Sequence, residues 1–593
     1  MLKKFFLNTL SSFVGTWLAV MLFGVVLVLL CIGAAARFAI SSGDSPALTK
    51  HSIMTVELSG IIEERESSTA PDYAKIMSGD FDRPQNLNTL VLALREAAVN
   101  KNIDALYLKC GALSAGPATL DALRKEIVEF SKSGKKIYAY GDMLHTGSYY
   151  VASAADSIFL NPYGGVDLKG LSGTSLYMKS LFDKIGVSFQ VVKVGTFKSA
   201  VEPYIMDKMS EPAKAQLDTL FGNMWGYIKD GICAKRKKLI PEKIDSLINR
   251  VSISFASAET TVSSGLVDRL AYERTMDERL ARLIKKDKDD LNFVSPELVV
   301  ANSEGLPTGK KNRIAVLYAT GEIVDGASTG INYQKLVPVI TELADDENVK
   351  GMVLRVNSPG GSAFGSDQIG EALDYFQSKG KPLAVSMGDY AASGGYWISC
   401  RANMIYADPL TITGSIGIFG LIPNGEVLLE KIGINPQFAG TNPGADFPTL
   451  FKPMDEEQLA VVQANVERGY DRFIKRVSKG RKMPEAKVRA IAEGRVWDAM
   501  KAKEIGLVDR LGSAQDAIEW VAKQTNIEGK YNLESYPEVK TSFWDLLVDG
   551  GAFEMVAARM ASPDFSTFAK EYLERYLNRE RIQARMADFK AGF

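Results

Sequence analysis

One hexapeptide limits the architectures open to this chain. Gly-Leu-Val-Asp-Arg-Leu stands at Gly265–Leu270 and again, letter for letter, at Gly506–Leu511. Upstream, GDMLHTGSYYVAS (Gly141–Ser153) lies over GDYAASGGYWISC (Gly388–Cys400) at an offset of 247 residues. The same offset sets FDKIGV (Phe182–Val187) over LEKIGI (Leu429–Ile434), and KNIDALYLKC (Lys101–Cys110) parallels ENVKGMVLRV (Glu347–Val356). Matches in one order at near-constant spacing mark a duplicated unit. The expected organisation is two copies of one domain, residues 50–295 and 313–540, joined by a linker, Pro296–Asn312. A last stretch, 541–593, reads as helix closing in a polar tail. The 593 residues suffice for such a plan, at roughly 100–200 per domain.

Each copy alternates short apolar runs with amphipathic stretches. RIAVLYA (Arg313–Ala319), GMVLRV (Gly351–Val356) and PLAVSM (Pro382–Met387) are apolar on both faces, as buried parallel strands are. SDQIGEALDYFQSKG (Ser366–Gly380) has helical periodicity and stops on glycine. Strand–helix–strand at this pitch predicts an α/β fold on largely parallel sheets. A long helix rich in ion pairs is expected within 451–493, with Tyr470 and Phe473 on its apolar face.

Between Lys4 and Arg37 lie 32 residues without a formal charge, including the apolar run Phe13 to Ala36. About 20 residues of helix cross the hydrocarbon layer, and a cleavable signal would have a shorter apolar core of about 7–15. Residues 13–36 therefore read as an uncleaved transmembrane anchor. Residues 1–12, with Lys3 and Lys4, are expected on the cytoplasmic side and the rest of the chain beyond the membrane.

Charge and composition remove other classes. Seventy Lys and Arg against 71 Asp and Glu give no global pull toward nucleic acid. The basic cluster Arg472, Lys475, Arg476, Lys479, Arg481 and Lys482 is mixed with acidic neighbours and reads as a solvated helix face. Four cysteines, none in a CxxC, exclude a disulfide-dense scaffold. The two histidines, His51 and His145, cannot form a multi-histidine zinc site, and any Ser-His-Asp triad would have to use one of them. No cofactor or metal is expected.

The chemistry concentrates in the second copy. VNSPGGSA (Val356–Ala363) follows a strand, and its Pro-Gly-Gly turn leaves backbone N–H groups free at the carboxyl edge of the sheet. The next strand runs into GDYAASGGYWIS, where Ser393 should begin a helix whose free N–H groups favour an anion. Alone, such a serine is more often just an N-cap. With the glycine turn beside it, it has the layout of a nucleophile and oxyanion hole. A base is suggested by the first copy, where Lys198 sits in KVGTFKSAVEP (Lys193–Pro203) among Phe197, Ser199, Ala200 and Val201. At the common offset Thr146 replaces Ser393, Ala445 replaces Lys198, and GALSAG (Gly111–Gly116) lacks the Gly-Gly pair. Each copy thus holds half of a Ser–Lys pair. A lysine acts as base only if desolvation lowers its pKa by several units. A Thr146–His145 reading is disfavoured, because adjacent residues at a helix start seldom face one another.

NSPGG, GDYAASGGYW, LTITGSIGIFG (Leu410–Gly420) and TFKSAVEP together resemble the signal peptide peptidase A (protease IV) family in its long, duplicated form. The resemblance spans nearly the whole chain. It implies two tandem Clp protease/crotonase-like repeats and a membrane-anchored serine protease with a Ser–Lys dyad. It further implies a homotetramer on the outer face of the bacterial inner membrane, acting on spent signal peptides. By position, Ser393 matches the family's nucleophile, Lys198 its general base, and Ser415 a serine that orients the lysine amine. Gly360, Gly361 and Gly394 match the oxyanion hole, with the donor among the first two left open. Two other functions are compatible with part of the pattern. A crotonase-like acyl-thioester enzyme would explain the glycines but not Lys198, and a non-catalytic peptide-binding scaffold would keep only the fold.

Overall fold

The computed structural model describes residues 48–65, 84–303, 311–326, 330–442, 444–537, 582–585 and 590–592. The expected cytoplasmic residues 1–12 and anchor 13–36 lie outside them. Among the described residues no helix is long and apolar enough to cross a membrane.

In the first half β1 (Ser52–Glu63), α1 (Leu87–Val99), β2 (Ile103–Ser114), α2 (Pro117–Ser131), β3 (Lys136–His145), α3 (Thr146–Ala152) and β4 (Ser157–Asp167) alternate along the chain. The four strands lie side by side in chain order, and their ladders are parallel. Successive side chains of a strand face opposite sides. Leu106 and Leu108 of β2 accordingly enter one buried cluster while Ala105 and Tyr107 enter another, which the helix Met276–Ile284 covers. Burial on both faces explains the unbroken apolar runs. Truncating Leu106 to alanine would cost about 2–5 kcal/mol. After β4 the chain forms β5 (Ser188–Lys193) and the helix α4 (Glu211–Lys235).

The second half repeats the order with β6 (Arg313–Thr320), α5 (Tyr333–Asp345), β7 (Val349–Ser358), β8 (Gly360–Ser362), α6 (Ala363–Ser378), β9 (Leu383–Ala392) and α7 (Gly394–Ser399). Strands β6, β7 and β9 are parallel neighbours. They are followed by β10 (Ile412–Gly414), β11 (Phe419–Asn424), α8 (Glu456–Arg481) and β12 (Val496–Asp498). The helix α8 starts in a capping box between Asp455 and Gln458 and buries Val466, Tyr470, Phe473, Ile474 and Val477. Those positions form one stripe at helical spacing.

The halves interlock. β5 pairs antiparallel with β11, from Lys193 opposite Phe419 to Ser188 opposite Asn424. Ala392, Leu410, Ile412 and Val496 pack into the first half's core, and Val192 enters the second's. The expected linker 296–312 begins as the helix Pro296–Ala301, capped by the Ser295 hydroxyl and packed on α1 through buried Val299.

The helix expected beyond residue 541 is corrected where it can be seen. Ile582–Arg585 (β13) and Lys590–Gly592 (β14) are strands, because extended backbone finds ladder partners there. β13 runs antiparallel between β8 and β11, and β14 pairs with Ser172–Thr174 of the first half. The remainder of that stretch lies outside the described residues.

Candidate active site

Ser393 occupies the sharp turn between β9 and α7 with φ +55° and ψ −114°, a conformation that costs energy for a residue with a side chain. Its backbone is held on both sides. Its N–H donates to the Gly414 carbonyl (2.8 Å), and its carbonyl accepts from Trp397 N–H (2.8 Å). The side chain makes no capping bond. Instead Ser393 Oγ accepts a hydrogen bond from Lys198 Nζ at 2.8 Å.

The lysine reaches this point because β5 is zipped to β11. Val194 N–H donates to the Ile418 carbonyl (3.1 Å), which continues the ladder toward the loop carrying Lys198. The amine also lies 3.1 Å from Ser415 Oγ and 3.2 Å from the Ser415 carbonyl, with the Phe419 ring centroid at 6.0 Å. Ser393, Lys198 and Ser415 are each at most 1% exposed. A cavity lined by Tyr177, Phe197, Gln216, Gly494 and Val496 borders the amine and Ser415.

The glycines sit against the same turn. Gly360 and Gly361 have φ of +102° and +148°. Any Cβ on Gly361 would run into the Ile323 carbonyl, so the backbone there demands glycine. Gly360 N–H donates to Ser358 Oγ (3.2 Å). A Cβ on Gly395 would stand 2.7 Å from the Ser358 carbonyl, a measure of how closely α7 abuts this loop. Gly394 is the first residue of α7, where a helix leaves its N–H groups without intrahelical acceptors. The structure thus brings Lys198 into contact with both Ser393 and Ser415 and sets the glycine loop beside them. Such a site can pass a proton from hydroxyl to amine and offer N–H groups to a developing negative charge.

The corresponding place in the first half is filled differently. Thr146 is buried, its hydroxyl 3.4 Å from the Asp167 carbonyl and 3.2 Å from Lys169 N–H. Gly116, where GALSAG ends, faces the carboxylate of Asp389. Neither histidine enters the Ser393 site: His51 pairs with Asp104 (2.9 Å) and His145 with Asp167 (3.3 Å). The basic cluster on α8 is less solvated than its composition predicts. Arg476 turns inward to Asp374 and the Gly370 carbonyl, and Arg481 to Asp509, because their long side chains bridge α8 to α6 and to the residue before the strand Arg510–Leu511.

Sequence reading passes over Glu493, Gly494 and Arg495, whose backbone binds the lysine loop on one side and the Ser415 loop on the other. It also passes over Asp389, four residues before Ser393. Glycines in a short EGRVW run carry no periodic signal, and a lone aspartate in a strand reads as a surface residue. Among the described residues no cluster of three or more His, Cys, Asp and Glu is placed to hold a metal ion.

The sequence profile of peptidase family S49 matches residues 129–287 and 375–528. Protease 4 of Haemophilus influenzae is 34% identical over 524 residues, covering 86% of this chain and 84% of that protein. A putative signal peptide peptidase SppA of Enterococcus faecium is 33% identical over 231 residues, 38% of this chain and 67% of its own. A solved ClpP1 variant of Listeria monocytogenes aligns with 34% of this chain and 94% of its own, at 13% identity and a TM-score of 0.23.

Proposed function

Because this chain belongs to peptidase family S49 and is a serine peptidase, we propose that it hydrolyses peptides through a Ser393–Lys198 dyad. Neutral Lys198 takes the Ser393 proton as Oγ attacks the scissile carbonyl. The Gly394 N–H and one N–H of the Gly360–Gly361 turn, where that of Gly360 rests on Ser358 Oγ in the free chain, hold the tetrahedral oxyanion, each such donor being worth about 2.7–4 kcal/mol. The resulting ammonium protonates the leaving amine, freeing one product and leaving an acyl ester on Ser393. Water, deprotonated by the same lysine, releases the second product and restores the hydroxyl. Ser415 orients the amine throughout. The observation that carries this reading is the 2.8 Å contact between Lys198 Nζ and Ser393 Oγ, both buried.

The substrates are extended, apolar peptides, among them remnants of cleaved signal sequences, bound by strand addition. The gap between β8 and β11 supports that mode, since β13 already lies there antiparallel to both. The enzyme works as a homotetramer of Clp protease/crotonase-like repeats held to the bacterial inner membrane by residues 13–36, with both repeats on the periplasmic side.

A serine-directed fluorophosphonate tests the dyad. Adduct at Ser393 in the full-length protein, lost in Ser393→Ala and Lys198→Ala together with peptidase activity, is the expected result. Substantial turnover by either purified variant would refute the assignment. Peptide binding without adduct would leave a scaffold, and adduct with thioester but no peptide hydrolysis would leave an acyl-thioester enzyme.

A further inference from the structure

The lysine does not reach Ser393 by its own loop alone. Glu493 and Gly494 follow one another in the left-handed region, at φ +51° and +74°, and turn the chain under Lys198. The Glu493 carbonyl accepts Phe197 N–H (3.0 Å), Gly494 N–H donates to the Ile416 carbonyl (2.9 Å), and the Arg495 carbonyl accepts Ser415 N–H (2.7 Å). Three consecutive residues thus bind the lysine loop on one side and the Ser415 loop on the other.

The approach is as close as backbone allows. A Cβ on Gly494 would stand 2.7–2.8 Å from Lys198 N, Cα and Cβ, distances that real side chains do not tolerate. Across the contact, a Cβ on Gly195 would collide with the Glu493 carbonyl. A Cβ on Gly417 would come within 3.0 Å of Gly494 Cα and 3.3 Å of Lys198 Cδ. Arg495 closes the device from outside. Its guanidinium lies over Phe197, the residue before Lys198, at 4.9 Å and over Trp497 at 4.3 Å.

We infer that Gly494 is a positioning residue for the reaction, and that Arg495 locks its grip on the lysine loop. Gly494 touches no reacting atom. It acts by letting the Lys198 main chain close on the second half far enough for the amine to reach both hydroxyls in a buried site. Counting back from the shared Gly-Leu-Val-Asp-Arg-Leu, the first half has Ser252, Ile253 and Ser254 in the corresponding places. Ile253 carries a side chain where Gly494 can have none, so the device belongs to the second half.

This inference rests on the dyad reading, and the test separates the two. In the full-length protein Gly494→Ala should lower kcat for a peptide substrate about 100-fold, the scale of a 1 Å misplacement, with KM little changed. The acidic limb of the kcat/KM profile, which reports the free base, should move to higher pH as the displaced amine regains water. Arg495→Ala leaves the backbone bonds in place. It should lower kcat about 10-fold, the worth of a half-buried cation–ring contact, and move the limb the same way. Arg495→Lys should restore part of both. Unchanged kcat and pH profile in Gly494→Ala overturns the inference, as does a lower Tm without a moved limb. Should Gly494→Ala fail to fold, the Arg495 pair decides by the same readouts. Activity in Ser393→Ala would sink the dyad itself; an inactive Ser393→Ala beside an unaltered Gly494→Ala would sink only the positioning role.

Discussion

The carboxylate of Asp389 accepts hydrogen bonds from the backbone N–H of Thr119 (3.0 Å) and from its hydroxyl (2.8 Å), so the second half caps a helix of the first. In the second half Ser362 caps α6 with its own hydroxyl, which accepts Gly365 N–H at 2.8 Å. Its counterpart Gly116 has no side chain, and Asp389 stands in for it at the start of α2. The same strand leads into Ser393, so the borrowed cap ties the strand before Ser393 to the opposite half. Asp389→Ala should cost about 1–2 kcal/mol, the value of a cap and its site, as read from urea unfolding.

Asp389 also supplies a pH signature. Burial, reinforced by the Glu64 carboxylate, raises its pKa above the ordinary carboxylate value. A carboxyl whose folded pKa is raised binds its proton more tightly in the folded chain. Its contribution is therefore complete below the unfolded value of about 3.9 and is lost as pH rises through the folded value. The stability difference between wild type and Asp389→Asn should shift in favour of the variant as pH rises through that window. A flat difference in unfolding titrations across the window would contradict this.

A second tie is ionic. Arg355 on β7 holds Glu64, just past β1, through bonds of 2.6 and 2.9 Å, and also donates to Ser386 Oγ and the Met387 carbonyl. Both side chains are buried. Removing one partner of such a pair strands the other charge, so Glu64→Ala should lose about 3–5 kcal/mol. The denaturant midpoint measures it.

Ser415 separates orientation from chemistry. Ser415→Ala keeps the amine and the nucleophile but removes the hydroxyl at 3.1 Å from Lys198 Nζ. Turnover should fall about 10- to 100-fold, the range of one hydrogen bond to a charged group, while Ser393→Ala should leave almost nothing. Equal losses in the two variants would place Ser415 among the reacting groups.

The tail strand competes with substrate wherever both need the β8–β11 gap. A chain ending before Ile582 should show a lower KM for extended peptides at similar kcat. A synthetic peptide spanning Ile582–Arg585 should inhibit the truncated enzyme competitively. Unchanged KM on truncation would mean that substrate enters elsewhere.

Much of the architecture is legible in the sequence because its signals are periodic. Apolar runs buried on both faces mark β2, β3, β7 and β9, and the Val466–Val477 stripe marks α8. Comparing the copies singles out Ser393 and Lys198, which the folded chain sets in contact. The joining contacts leave no such trace. β5 finds β11, and β13 finds β8, through backbone groups that every residue carries. Gly494 works by having no side chain, and Asp389 satisfies a helix that lies 270 residues away. Neither leaves a spacing that a local reading detects.

Lys198 and Ser393 stand 195 positions apart, and β11, with which β5 pairs, begins only at Phe419. Domains fold in the order in which they leave the ribosome. On the proposed dyad the amine therefore emerges long before the hydroxyl, and a half-made chain would hold no complete centre. A centre divided in this way would delay the danger of a protease until its synthesis is well past the midpoint.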